Sequence, residues 1–191
     1  DVRVQDSALL TSEKQALCEL IVRRVIERIP TAYLTGTAWF AGLPFSVDQR
    51  VLIPRSPIAE LIENQFEPWI NPDDVESILD LCSGSGCIGI ACSHYFPNAQ
   101  VDCSDLSEAA LDVAEQNVLA LNVENQVNLI YSDLFEALEG RTYDLIVSNP
   151  PYVDQLDMSS MPEEFHHAPR LGLEAGTDGL DLVRRILPEL A

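Results

Sequence analysis

Basic side chains are scarce in this 191-residue chain: 11 Lys and Arg stand against 31 Asp and Glu, for a formal net charge of −20. Lys14 is its one lysine, and neither Lys nor Arg occurs between Ser56 and Gly140. A protein that grips a nucleic-acid backbone needs a basic stripe to replace the counterions on the phosphates, so this balance argues against direct nucleic-acid binding. The charge is also unevenly spread, with seven basic and seven acidic side chains in residues 1–60 but four and 24 in residues 61–191. An acidic block of this kind can be disordered, yet 47% hydrophobic residues supply enough apolar surface for a core, and the chain reads as folded. No apolar run approaches the roughly 20 residues that cross a bilayer, and no basic segment precedes a short apolar one. The expectation is a cytoplasmic protein with no membrane association. Cys18, Cys82, Cys87, Cys92 and Cys103 are odd in number and contain no CxxC pair, which suits a reducing compartment rather than a disulfide scaffold. Cys87 and Cys92 fall off one helical face with only His94 nearby, so no metal site is expected.

Ser12 and Gln15 form a candidate capping box, after which Leu17, Ile21, Val25 and Ile29 recur every four residues up to Pro30. This predicts one amphipathic helix. Ala38-Trp39-Phe40, a Gly42-Leu43-Pro44 turn and Phe45-Ser46-Val47 predict a hairpin that leads into Val51-Leu52-Ile53-Pro54-Arg55, with Trp39 and Phe40 as packing residues. Past residues 56–72 the rhythm changes to strands expected at 77–81, 101–103, 127–131 and 144–148, with helices at 87–94, 107–121, 134–138 and 180–187. Alternation of this kind means βαβ units and a parallel sheet with helices on both faces, an α/β fold. The expected organisation is a helical and hairpin segment over 1–55, a linker over 56–72 and a core over 73–191.

The first constellation that carries chemistry is Leu79-Asp80-Leu81-Cys82-Ser83-Gly84-Ser85-Gly86-Cys87, a strand running into a small-residue turn at a helix start. Gly84 and Gly86 permit a tight turn and let a ligand lie against main-chain N–H groups. The spacing is not the dinucleotide GxGxxG, since the third glycine falls at Gly89, and no GK[ST] follows to make a phosphate-binding loop. Asp105 closes the next expected strand, where a carboxylate can accept from both hydroxyls of a ribose. A helix N-cap is its plainer role, although Ser107 fits that cap as well. Asp133 follows the third strand, where its carboxylate or the adjacent backbone can read an adenine amino group with Leu134 beside the ring; capping competes here too. The sharpest signal is Asn149-Pro150-Pro151-Tyr152. Two prolines cannot continue a central strand, so the chain must leave the sheet at its carboxyl edge and present Asn149 at the ligand crevice. The Asn149 oxygen and a proline carbonyl are both acceptors that can hold a planar NH2 group, and Tyr152 adds an aromatic wall.

LDLCSGSGC, Asp105, Ser132-Asp133-Leu134-Phe135 and NPPY together resemble the class I methyltransferases that use S-adenosylmethionine. The succession GLPF, VDQRVLIPR, LDLCSGSGC, SDLF, DLIVSNPPYV and GTDGL is similar to the HemK-like protein-(glutamine-N) methyltransferases, from about Glu27 to the C-terminus. The resemblance implies a Rossmann-like core behind a substrate-recognition segment, with S-adenosylmethionine as cofactor and S-adenosylhomocysteine as product. It implies that Ser83, Gly84, Ser85, Gly86, Cys87, Asp105, Asp133, Leu134 and Asn149 bind the cofactor. Asn149, Pro150, Pro151 and Tyr152 would bind the substrate, with Asn149, Pro150 and Tyr152 at the catalytic centre. One branch of the family modifies peptide release factors and the other large-subunit ribosomal protein three. Pro54-Arg55-Ser56-Pro57-Ile58-Ala59-Glu60 departs from the PRPETE of the first branch. That segment, Pro162-Glu163-Glu164-Phe165-His166-His167 and Gly176-Thr177-Asp178-Gly179 look like the second. Free ribosomal protein three is therefore the expected substrate, with release factors as an alternative. A DNA adenine amino-group methyltransferase is a further alternative that the missing basic residues and VLIPRSP count against, and an inactive cofactor-binding fragment is another. Arg55 and Glu60 are read as groove residues or an ion pair, and His166 and His167 as surface or substrate-loop residues. Family members carry more helices before Asp1 and more strands after Leu187, so the chain is expected to be incomplete, at its C-terminus above all.

Overall fold

The computed structural model describes residues 10–190; residues 1–9 of the segment expected over 1–55, and Ala191 of the core expected over 73–191, lie outside the described residues. In chain order the helices are α1 (Thr11–Ile26), α2 (Thr31–Thr35), α3 (Ile58–Glu63), α4 (Cys87–Tyr95), α5 (Glu108–Ala120), α6 (Gln155–Ser160) and α7 (Asp181–Ile186). Strands β1 (Thr37–Phe40) and β2 (Leu43–Ser46) form an antiparallel hairpin. Strands β3 (Ser77–Leu81), β4 (Gln100–Asp105), β5 (Val127–Tyr131) and β6 (Leu145–Ser148) form a four-stranded parallel sheet in the order β5-β4-β3-β6. The α/β expectation holds, with every expected core strand present within two residues of its expected ends.

Strand β3 is central and buried along Ile78–Leu81, because a parallel strand is covered on both faces. Its alternation divides the core. Ile78 joins Val101, Cys103, Val127 and Val147 against Ile88, Ala91 and Cys92 of α4, while Leu79 and Leu81 face Leu134, Leu138 and Ile186. The second face is closed by irregular chain together with α7, through Leu182 and Ile186. Where a helix is expected at 134–138, Leu134 takes a left-handed φ of 51° and only a 3-10 turn, Glu136–Leu138, forms.

The hairpin is built into the same core. Phe40 and Phe45 join the α4 cluster, and Ala38, Val47 and Val51 pack on Ala110 and Val113 of α5. The stretch expected as a linker contains α3, whose Ile62 is fully buried in the α4 cluster. Trp39 is 70% exposed, contrary to a packing role, because alternate residues of a strand face opposite sides and Phe40 takes the inward one.

Helix α1 differs from its expectation at both ends. Its cap is not Ser12 with Gln15: the Leu10 N–H donates to the Glu13 carboxylate at 2.7 Å, while the Gln15 amide donates to Glu19. It stops at Ile26, and Arg28 turns the chain at a φ of 56° before Pro30. Leu17, Ile21 and Val25 are 45–60% exposed, so the apolar face read from their spacing has no partner among the described residues. Arg24 and Arg28 instead tie this region to Glu164, and His167 bridges the Glu27 carbonyl and Gln49.

Candidate active site

Strands β3 and β6 run in register from Ile78↔Leu145 to Leu81↔Ser148, and the Ser148 hydroxyl donates to the Leu81 carbonyl at 2.6 Å. Both strands therefore end side by side, and Asn149 emerges next to the turn at Cys82. That turn takes three left-handed residues in succession with one spacer each, Cys82, Gly84 and Gly86 at φ 63°, 56° and 74°. Nothing lies within 4 Å of where a side chain on Gly84 would project, so the loop backbone is open to a ligand. The Gly84 N–H donates to one Asp105 oxygen at 2.8 Å and the Ser107 N–H to the other at 2.9 Å. Ser107 itself caps α5, accepting from Ala110 at 3.2 Å. Asp105 is thus a brace between the glycine loop and the next strand, and a carboxylate with two acceptor oxygens keeps lone pairs free for a ribose.

These elements border an open cavity of about 360 Å3, within the size range of small-molecule sites. Of the residues expected to bind a cofactor, Ser83, Gly84, Ser85, Cys87, Asp105, Asp133, Leu134 and Asn149 line it, and Gly86 does not. Of the expected substrate residues, Asn149 and Pro151 line it, Pro150 does not, and Tyr152 is 62% exposed beyond the lining. Asp133 accepts from Arg185 of α7 at 2.9 Å, so one of its oxygens is engaged by a cation across the cavity rim. The hydroxyls of Ser83 and Ser104 are buried without a partner among the described residues, and both residues line the cavity. Unsatisfied buried hydroxyls beside open glycine backbone suit a polar ligand tail, and the carboxylate at the end of β4 suits a ribose. The residues present therefore fit S-adenosylmethionine.

The third wall runs from Pro169 to Arg185, and only its last part, the helix expected at 180–187 and found as α7, has a signal in the sequence periodicity. Pro169, Leu171, Gly172, Glu174, Gly176, Asp181 and Arg185 all line the cavity. Val153 and Glu174 form a parallel bridge, with the Val153 N–H donating to Leu173 at 2.8 Å and the Ala175 N–H to Val153 at 2.9 Å. A side chain on Gly179 would collide with the Tyr152 carbonyl oxygen. Glycine is what lets this wall close on the chain leaving Pro151. The irregular part before α7 has no periodicity, and the pair of glycines three apart is the one local cue there. Arg55 makes no ion pair among the described residues; its guanidinium lies 4.6 Å from the Phe165 ring centre.

Burial controls the acids below the loop. Asp80, fully buried, accepts from the Gly89 N–H at 2.8 Å through one oxygen and leaves the other without a partner among the described residues. Desolvation pushes its pKa up from 3.8 to about 7, with Asp105 adding to the rise. The stabilisation from the neutral acid is complete below the unfolded value and is lost as pH rises through about 7. Asp80→Asn keeps an acceptor for Gly89 and cannot ionise, so it is expected to raise the melting temperature clearly more at pH 8 than at pH 5, where the loss that runs from 3.8 to about 7 is only partly complete. Thermal melts at the two pH values check this, and an equal effect at both would contradict it.

The methyltransferase small domain matches residues 65–177 of the chain. The ribosomal protein uL3 glutamine methyltransferase of Francisella tularensis subsp. tularensis is 53% identical over 190 residues, which are 99% of this chain and 60% of that protein. The protein of the same name from Xanthomonas campestris pv. campestris is 56% identical over 179 residues, 94% of this chain and 58% of its own length. The chain thus spans about three fifths of the curated relatives it matches. Among solved structures, the hMettl16 catalytic domain in complex with MAT2A 3'UTR hairpin 1 superposes with a TM-score of 0.58 at 18% identity, over 93% of this chain and 61% of that one. At that identity the likeness speaks for the fold alone. With a parallel sheet, a glycine loop braced by the acid of the next strand, and a family match running from Gln65 to Thr177 across both, the chain belongs to the methyltransferase small domain family.

Proposed function

We propose that this chain carries the catalytic part of an S-adenosylmethionine-dependent methyltransferase that modifies the side-chain amide nitrogen of a glutamine in ribosomal protein uL3. The observation that carries this reading is 53–56% identity with uL3 glutamine methyltransferases over 94–99% of the chain, a span that includes the glycine loop, Asp105 and Asn149. When bound, the cofactor supplies a methyl group made electrophilic by a sulfonium. The work left to the protein is placement, because an amide nitrogen is a weak nucleophile whose lone pair is delocalised into its carbonyl. The Asn149 side-chain oxygen and the Pro150 carbonyl accept the two N–H bonds of the glutamine amide. Held this way, the nitrogen would be turned toward the methyl carbon; the N–C bond would form as the S–C bond breaks and S-adenosylhomocysteine leaves, the acceptors would stabilise the positive charge that develops, and the surplus proton on nitrogen would pass to solvent during or after transfer. Asp105 would hold the ribose, and the Ser83 hydroxyl, buried without a partner among the described residues, would take the amino-acid tail. Tyr152, exposed beside the cavity, covers the incoming glutamine once the substrate chain is in place.

The deciding experiment is transfer of a labelled methyl group to purified free uL3, a peptide release factor and unmethylated DNA in parallel. Labelling of uL3 is expected; labelling of DNA alone, or of release factor in preference to uL3, overturns the proposal. Residues 61–191 hold 24 acidic against four basic side chains, and a basic ribosomal protein free of RNA is drawn to such a surface by long-range attraction. The rate on free uL3 at limiting substrate is therefore expected to fall several-fold as salt rises from about 0.01 M to 0.15 M, where the screening length shortens from about 30 to 8 Å. A rate independent of salt would remove the steering role.

A further inference from the structure

Asn117 is an amide in the last turn of α5 with 1% of its surface exposed, and it takes no part in the chemistry described above. A buried amide that satisfies its bonds is ordinary; the identity of its partners is what makes this one informative. Its oxygen accepts from the Ser46 N–H at 2.6 Å, and its nitrogen donates to the Ser46 carbonyl at 3.1 Å and to the Ser85 carbonyl at 2.9 Å. Toward Ser46 the side chain behaves as one more peptide unit, filling both backbone positions at the end of β2. Toward Ser85 it grips the glycine loop between the open Gly84 and the packed Gly86. The loop and the hairpin are 39 positions apart in sequence and belong to different halves of the site. The packing around the amide also favours transmission over slack. The helix approaches the loop closely, since a side chain on Gly86 would meet the Ala114 Cβ at 3.2 Å, and Ala110 and Val113 of the same helix carry Ala38, Val47 and Val51. Just beyond Ser46, residues 50–56 line the cavity that Asn149 also borders.

We propose that Asn117 is a positioning residue that couples the cofactor loop to the recognition hairpin, so that ligand binding at the loop steadies β2 and, through it, the wall over which the protein substrate must pass. Cofactor and protein substrate then bind with positive cooperativity, because the ordering that one requires has already been met by the other. The proposal rests on the cofactor reading above. Loss of Asn117 leaves the Ser46 N–H and the Ser85 carbonyl without their buried partners and frees the two elements from each other, while the residues that touch the cofactor remain.

The test uses the chain as it stands with S-adenosylhomocysteine as the probe. Calorimetry measures binding, and amide hydrogen exchange follows residues 37–47, with the amides of β5 as the reference for general stabilisation by a ligand. In the unsubstituted protein, saturating S-adenosylhomocysteine is expected to slow hairpin exchange about fivefold or more beyond the change in β5, the lower end of ordinary coupling between sites. In Asn117→Ala the ligand is expected to bind within about threefold of the original affinity, with the excess hairpin protection gone. Binding without excess protection in the unsubstituted protein overturns the proposal alone, as does excess protection that survives in Asn117→Ala. Absence of binding overturns the cofactor reading and the proposal together. If Asn117→Ala does not fold, the exchange experiment on the unsubstituted protein decides.

Discussion

Asn149→Ala is expected to lower methyl-transfer turnover by roughly 10²–10³-fold, the usual effect of removing one preorganised partner of a developing charge, while the dissociation constant for S-adenosylhomocysteine stays within about threefold. The expectation follows from where Asn149 stands. Register between β3 and β6 brings it to the cavity beside the glycine loop, where on the function proposed above Asp105 and the loop hold the cofactor. An acceptor that matters when the amide nitrogen gains positive charge contributes little before that moment, so its loss falls on kcat rather than on ligand affinity. Single-turnover rates with saturating cofactor, set beside calorimetric affinities, check this. Comparable losses in both quantities would mean that Asn149 serves chiefly to bind the cofactor.

Asp105→Ala is expected to have the opposite signature, weakening S-adenosylhomocysteine binding by roughly 10²-fold or more, since two hydrogen bonds to a charged acceptor at about 1.5–3 kcal/mol each are lost. The substitution also releases the Gly84 and Ser107 N–H groups that the carboxylate now braces. Asp105→Asn retains one acceptor and should fall between. The ionised carboxylate is the form that accepts from a ribose, and burial raises its pKa above the ordinary 3.8. Affinity should accordingly fail on acidification at a higher pH than an exposed aspartate would permit, falling as pH drops through that raised value. Calorimetry at successively lower pH measures it. An affinity unchanged by either substitution would leave Asp105 as a brace only.

Much of this site is visible in the sequence because it sits at the ends of periodic elements. A short apolar strand that runs into glycines identifies the loop, and a double proline after a strand can only mark an exit from the sheet. Period alone does not say whether a face meets a partner. Leu17, Ile21 and Val25 share one side of α1 as their spacing requires, yet that side stays exposed among the described residues. The same limit applies to Trp39 and Phe40, neighbours that a strand must send in opposite directions. Helix α3 has too few turns to show a repeat, and the wall at 169–179 is made of tight turns and 3-10 segments that leave none to find, unlike α7 beyond it. Asn117 was hidden for a different reason: an amide within a helix gives no sign of its partners until the chain is folded.

The pairing of β3 with β6 joins residues 67 positions apart. Closing so long a loop costs conformational entropy before its contacts form, and contacts of this range form slowly. The glycine loop needs only β3 and the neighbouring β4 to be braced, whereas Asn149 reaches the cavity when β6 docks. The brace on the glycine loop is thus a contact of shorter range, and the arrival of Asn149 at the cavity one of longer range.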